Sequence, residues 1–225
     1  MTTSSAGGDA SNGWEAVAPA FIREGRHSRT GVAVVADWVM QLPPRCTLLD
    51  LGCGPGVPRS EPLHARGQVF AVDASASLAH AYQERFPTAD VACEAAEEST
   101  LFARQFDGVL AWGLLFLLTH EQQLEVIRRV GRALTPGGRF LFTAPWQVAT
   151  WIDHSTGRPS ESLGRSAYQE ALGHAGLTVV REHEDEGGNH YFDARKSALA
   201  CDADPDAASL ALHQTVTDAM MGRRR

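Results

Sequence analysis

The chain has 225 residues, enough for one sizeable α/β domain with short extensions, and 44% hydrophobic with 21% charged content is ordinary for a globular protein. A net charge of −7 disfavours a nucleic-acid partner, which needs clustered Lys and Arg, and the longest apolar run, Val109 to Leu118, is far short of the roughly 20 residues that span a bilayer. Cys46, Cys53, Cys93 and Cys201 show neither Cys-x-x-Cys pairing nor histidines at zinc spacing, so reduced thiols in a reducing cytosol are expected rather than disulfides.

Residues 1–12 are small and polar and read as a disordered leader without a basic n-region or apolar h-region, so a cytoplasmic protein is expected. Lys196 is the only lysine beside 19 arginines, a bias that suggests a G+C-rich, bacterial coding sequence. The single domain is placed at residues 13–197, with 13–44 as an N-terminal helical cap. Trp14, Val17, Phe21 and Ile22 recur at helical spacing, and Val32 to Met40 forms a second helix closed by Pro43-Pro44.

The apolar run Thr47 to Leu51 then ends in three alternating glycines, Gly52, Gly54 and Gly56, followed by Val57-Pro58. Glycine admits positive φ and lets the main chain lie directly on a ligand. The next strand, Gln68 to Val72, leads to Asp73, 21 positions after Gly52, where a carboxylate in a doubly wound sheet accepts ribose hydroxyls. The third glycine comes one position too early for the dinucleotide fingerprint, and Pro58 offers no N–H to a pyrophosphate, though it suits the first turn of a helix. A nucleoside without a pyrophosphate fits better.

On these residues the sequence resembles the class I S-adenosylmethionine-dependent methyltransferases, whose first motif reads as Leu48 to Gly56 does and whose second ends in an acid like Asp73. The resemblance implies a Rossmann-like, doubly wound α/β fold with a seven-stranded, mostly parallel sheet and an antiparallel last strand. It also implies S-adenosyl-L-methionine as cofactor, S-adenosyl-L-homocysteine as product, and cofactor contacts from Asp50, Gly52, Cys53, Gly54, Gly56, Asp73 and Ala74. Helices ahead of the first motif often cap the cofactor in such proteins, so Trp14 and Phe21 either line an acceptor pocket or pack on the sheet.

A short helix (Arg59 to Ala65) precedes the second strand, and Ser75 or Ser77 caps the helix after it. The third strand is Asp90 to Cys93. In the segment that follows, the family places an acid against adenine N6; here Glu94 comes one place early and Ala95 stands in the acid's place, while the N–H groups of Ala96 and Glu97 remain candidates for the adenine ring. Phe106 to Trp112 is the fourth strand. Asp107 lies at its structural end, whereas Ala111 offers a carbonyl to the methionine ammonium opposite that of Gly52. Trp112 is either an aromatic wall beside the sulfonium or a packing residue. Ala111, Trp112 and Gly113 supply no ligand set, so no metal is expected.

Glu121 to Leu134 is amphipathic, and Thr135-Pro136-Gly137-Gly138 turns into the fifth strand, Arg139 to Ala144. The loop after it carries Trp146, Trp151, Asp153 and His154, a helix spans Arg165 to His174, and strands six (Leu177 to His183) and seven (Asn189 to Arg195) flank a turn. If strand six is parallel, that turn brings Asn189, His190 and Tyr191 to the crevice. His190 is the candidate base, with Asp153 and His154 behind it, since an imidazole titrates near neutral pH. Trp14, Phe21, Trp146, Trp151, Asn189 and Tyr191 are the candidate substrate contacts. Residues 198–225 read as a tail with a possible helix over Ala207 to Met221.

The expected activity is methyl transfer to N or O of a small-molecule acceptor, by a monomer or homodimer without nucleic-acid or membrane partners. Two other readings stand beside it. An NAD(P)-dependent oxidoreductase is opposed by the glycine spacing and by the lack of a Ser/Tyr-x-x-x-Lys dyad; a non-catalytic S-adenosylmethionine-binding scaffold would keep the donor residues without a formed acceptor pocket.

Overall fold

The computed structural model describes residues 9–24 and 28–198. Most of the expected leader and the 199–225 tail lie outside these residues, as does the helix expected over Ala207 to Met221.

Helix α1 (Trp14–Glu24) and helix α2 (Val32–Val39) precede strand β1 (Thr47–Leu51), followed by α3 (Glu61–Arg66), β2 (Gln68–Asp73), α4 (Ala76–Arg85), β3 (Asp90–Cys93) and β4 (Phe106–Ala111). The chain continues through α5 (His120–Ala133), β5 (Leu134–Thr143), a short pair β6 (Ala149–Ile152) and β7 (Pro159–Ser162), α6 (Arg165–His174), β8 (Leu177–Glu184) and β9 (His190–Lys196). The main sheet has seven strands in the order β3-β2-β1-β4-β5-β9-β8. Only β9 runs antiparallel to its neighbours, so β8 is parallel to β5. This is the expected doubly wound architecture, and its strand order reverses between β1 and β4, where such sheets open a ligand crevice.

Side chains two apart share a face of the sheet. Leu49, Leu51, Phe70, Val109, Phe140, Phe142 and Phe192 belong to the core under α5 and α6, whereas Leu48, Val69, Leu110, Leu141 and Tyr191 belong to that under α2 and α3. Strands that bury both faces read as near-continuous apolar runs, which is why β1 and β4 stand out in the sequence. Helix starts follow local chemistry. Ser75 accepts the Leu78 N–H at the start of α4, and Thr119 and Gln122 form a reciprocal capping box on α5. Asp107 is structural as expected: its carboxylate accepts the Thr47 N–H at 2.9 Å and the Thr135 hydroxyl at 3.3 Å, tying β4 to the starts of β1 and β5.

Three local expectations are corrected. Residues 9–12 form an ordered turn in which Asp9 accepts the Ser11 and Gly13 N–H groups at 3.0 and 2.8 Å. The loop after β5 is a β6–β7 hairpin. Helix α3 begins at Glu61, so Pro58 lies in the turn ahead of it and Arg59 is free of the helix.

Candidate active site

The glycine loop hangs on the end of β2. The N–H groups of Gly52 and Cys53 both donate to the Val72 carbonyl, at 2.8 and 3.1 Å. Gly56 has φ +79°, and a Cβ there would lie 2.7 Å from the rings of Tyr82 and Phe86, so no other residue fits without displacing two aromatics. The loop's amide at Gly54 donates to Asp73 Oδ2 at 2.8 Å, and Asp73 Oδ1 accepts the Ser75 N–H at 2.9 Å. The acid that closes β2 thus fixes both the loop and the start of α4.

Above this loop lies a cavity of about 260 Å³ walled by the carboxyl ends of successive strands. Glu94, Ala96 and Glu97 follow β3, Asp73 and Ala74 close β2, the glycine loop follows β1, and Trp112 to Leu114 with Phe116 to Leu118 follow β4. Helix α1 covers it. Trp14 and Phe21, edge to face at 5.0 Å, line the cavity from that helix. Glu15 clasps α1 to α4, accepting the hydroxyls of Ser75 and Ser77 at 2.6 Å each and the Ser77 N–H at 3.0 Å. Asn12 adds a second tie, donating to the Leu117 carbonyl at 2.7 Å.

Two carboxylates are buried at the cavity wall. Burial raises the Asp73 carboxyl above its ordinary value, partly offset by hydrogen bonds from Ser75 and Gly54. Asp50 is 3% exposed, and burial pushes it up to about 7 although Oδ2 accepts the Ser60 hydroxyl at 2.5 Å and the Tyr82 hydroxyl at 3.2 Å. Tyr82 also meets His64 Nε2 at 3.0 Å.

Arg59, which sequence reasoning passed over, is the single basic side chain lining the cavity among the described residues. Its guanidinium lies 3.7 Å over the Trp112 ring. The indole N–H of Trp112 donates to the Tyr191 hydroxyl at 2.8 Å, and that hydroxyl donates to Asp185 at 2.7 Å. Burial and the bond to Asp185 raise the Tyr191 phenol, which stays a donor. Its arginine was not found from sequence because it is read only by its packing on Trp112; the one signal was a cation directly after the glycine motif.

The candidate residues divide. Asp50, Gly52, Cys53, Gly54, Gly56, Asp73, Ala74, Ala96, Glu97, Trp112, Trp14, Phe21 and Asp153 all line the cavity, whereas Ala111 is fully buried between lining neighbours. Trp112 does form a wall, but a protein cation occupies a face of its ring. Tyr191 is fully buried and reaches the site only through Trp112. Asn189 donates to both oxygens of Asp185 and braces the β8–β9 turn.

His190 is not brought to the cavity. On β9 it alternates with Tyr191 and so faces the α5–α6 side, where its ring stacks on Trp146 at 4.0 Å and Nδ1 accepts the Trp146 N–H at 3.2 Å. Trp146 is consumed in the same stack. Trp151 lines an adjoining groove beside Glu97 and Glu161 and meets Phe116 at 5.5 Å. His154 is exposed in the hairpin turn, which Asp153 Oδ1 closes by accepting the N–H groups of Ser155 and Thr156. Leu114, Phe116, Leu117, Leu118, Ser11 and Asn12 are further lining residues that sequence did not signal.

Comparison with known proteins agrees with this geometry. Residues 48–138 match the family model described as a methyltransferase domain. No curated protein matches the chain by sequence. Among solved structures, magnesium protoporphyrin IX methyltransferase from Synechocystis PCC 6803 with bound S-adenosylmethionine is similar at TM-score 0.68 and 15% identity, over 87% of this chain and 100% of that one. An amino pentose methyltransferase from Micromonospora echinaspora, also with S-adenosylmethionine bound, gives 0.65 and 18% over 80% and 97%. The Burkholderia thailandensis 1,6-didemethyltoxoflavin-N1-methyltransferase gives 0.60 and 20% over 88% and 93%.

The fold is that of the class I, Rossmann-like methyltransferases, and the match to the methyltransferase-domain model covers residues 48–138. S-adenosylmethionine is the ligand bound in two of these similar structures. The residues of this chain fit that donor: a glycine loop without the dinucleotide spacing and a carboxylate at the end of β2, both lining one cavity.

Proposed function

We propose that the protein transfers a methyl group from S-adenosylmethionine to a nitrogen or oxygen of a small organic acceptor. The observation that carries this reading is the covered cavity at the β1/β4 reversal, where Asp73 is fixed to the glycine loop and two aromatics of α1 close the top. The named acceptors of the similar structures, a porphyrin, an amino pentose and a toxoflavin precursor, are all small molecules and support the acceptor class.

In the proposed mechanism Asp73 holds the ribose and the loop carries the methionine end. The carbon–sulfur bond of the sulfonium breaks as the bond from the acceptor's lone pair to the methyl carbon forms, in line, and the acceptor's proton leaves afterwards. The sulfonium is already a good leaving group, so alignment and exclusion of water supply the rate, an effect worth roughly 7–11 kcal/mol. No histidine lines the cavity among the described residues. Asp153, in the turn of the β6–β7 hairpin, is a carboxylate lining the cavity, and it takes the acceptor's proton or orients an amine.

Titration calorimetry with S-adenosylhomocysteine, with NAD as control, tests the donor assignment. Micromolar binding of the former alone is expected; binding of NAD instead would sink it. Transfer of a labelled methyl group from the donor to candidate amines and phenols then tests the acceptor class, and transfer to none of them while a nucleic acid or protein is labelled would overturn it.

A further inference from the structure

Arg59 poses a question that the proposed function leaves open. It is half-buried, lines the cavity, and has no ion-pair partner among the described residues, while five carboxylates (Asp50, Asp73, Glu94, Glu97, Asp153) line the same space. Its polar contact is a long one, Nη1 to the Thr30 carbonyl at 3.5 Å. Burial draws its basicity below the ordinary value, against the pull of Tyr191, Asp50 and Asp185. A cation withdrawn from water costs free energy unless a counter-charge meets it, and the protein supplies none at contact distance.

The surroundings hold this cation still. Trp112 is its platform, and the platform is itself fixed by the Tyr191 hydroxyl and, behind that, Asp185. Gly31 shows how closely this set is packed: a Cβ there would lie 2.1 Å from the Tyr191 hydroxyl and 2.9 Å from the Trp112 indole nitrogen. A planar guanidinium pinned on an indole presents its outer edge for bidentate pairing with a carboxylate.

The place of Arg59 in the cavity says which carboxylate. The sites follow the strand order, with Glu94 to Glu97 beyond β3, Asp73 beyond β2, Gly52 beyond β1 and Trp112 beyond β4. A donor whose ribose is held by Asp73 and whose adenine lies toward β3 must send its amino-acid end toward β4, where Trp112 carries Arg59. We propose that Arg59 binds the α-carboxylate of the methyl donor, with Trp112 and Tyr191 as positioning residues, and so makes the enzyme selective for donors that retain that carboxylate. This rests on the donor reading above.

The test compares two nucleosides on the full chain by calorimetry: S-adenosylhomocysteine, and 5′-methylthioadenosine, which keeps the adenosine and sulfur but lacks the aminocarboxypropyl arm. In Arg59→Gln, affinity for S-adenosylhomocysteine should fall about 10- to 100-fold while that for methylthioadenosine stays within about threefold, and Arg59→Lys should restore part of the loss. The unchanged second ligand reports that the variant is folded. Equal losses for both ligands, or an unchanged affinity for S-adenosylhomocysteine, would overturn the assignment. Wild-type protein that binds neither nucleoside would overturn the donor reading itself and the proposal with it.

Discussion

The floor and the cover of the cavity are built by different means. The floor is main chain: Gly52, Cys53 and Gly54 are held by the Val72 carbonyl and the Asp73 carboxylate, and a Cβ at Gly52 would lie 3.0 Å from Leu114. The cover is side chain. Helix α1 rests on its aromatic pair and the Glu15 clasp, Asn12 reaches one carbonyl, and the β6–β7 hairpin is closed by Asp153. A floor of buried backbone hydrogen bonds gives fixed geometry for a donor that does not vary. Ties through exposed side chains open at low cost, as a site that must admit donor and acceptor requires.

Breaking the floor should have the largest effect. Asp73→Ala removes the acceptor for the Gly54 and Ser75 amides as well as the ribose contact. Affinity for S-adenosylhomocysteine is expected to drop at least about 100-fold, and two orphaned amides should lower the unfolding free energy by about 2–4 kcal/mol. Calorimetry and thermal unfolding measure both, and an unchanged affinity would remove Asp73 from the donor site.

The difference between floor and cover also explains what sequence revealed. The floor is local: an apolar strand, a glycine turn and an acid at the next strand's end lie within Leu48 to Asp73, and near-continuous apolar runs buried on both faces made β1, β2 and β4 legible. The cover is assembled across long separations, Asn12 with Leu117 and Glu15 with Ser75, which no local pattern encodes. Arg59 went unnoticed because its meaning lies in Trp112, far along the chain. The hairpin was read as a loop because Trp151 to Pro159 offers no alternation, and Asp153 Oδ1 makes its turn through side-chain bonds.

The second acid of the floor sharpens the contrast by titrating. Burial holds Asp50 near 7, far above its unfolded value of about 3.9, so the neutral carboxyl stabilises the fold fully below about pH 4. That contribution is lost as pH rises toward 7, at up to about 1.4 kcal/mol per pH unit. A donor ammonium laid beside Asp50 favours its ionised form, so affinity for S-adenosylhomocysteine should run the other way, rising about 5- to 10-fold from pH 6 to pH 8. Asp50→Asn should flatten that profile. A wild-type affinity independent of pH in this window would place the ammonium elsewhere.

Breaking the cover should cost less. Glu15→Ala frees the α1 clasp but leaves the Trp14–Phe21 pair and the floor intact. The donor is expected to dissociate about 3- to 10-fold faster with little change in thermal stability, since Glu15 is an exposed group. Stopped-flow tryptophan fluorescence follows this through Trp14. A large loss of stability with unchanged dissociation would make the clasp part of the fold rather than of the gate.

The smallest effect is expected where sequence placed the base. His190 takes the Trp146 amide on Nδ1, which fixes the proton on Nε2, and Nε2 faces Glu184 at 4.0 Å rather than the cavity. An imidazole whose acceptor nitrogen is already filled cannot accept a proton from an acceptor without breaking that bond. His190→Ala should therefore leave turnover within about twofold, once a methyl acceptor is in hand, and lower unfolding free energy by about 1–2 kcal/mol through the lost stack and the unpaired amide. The pH profile of turnover discriminates further: a base at His190 would impose an inflection that the alanine variant loses. If that inflection exists and disappears with the histidine, β9 must shift during the reaction, and the division of floor from cover drawn from the resting structure would have to include a moving strand.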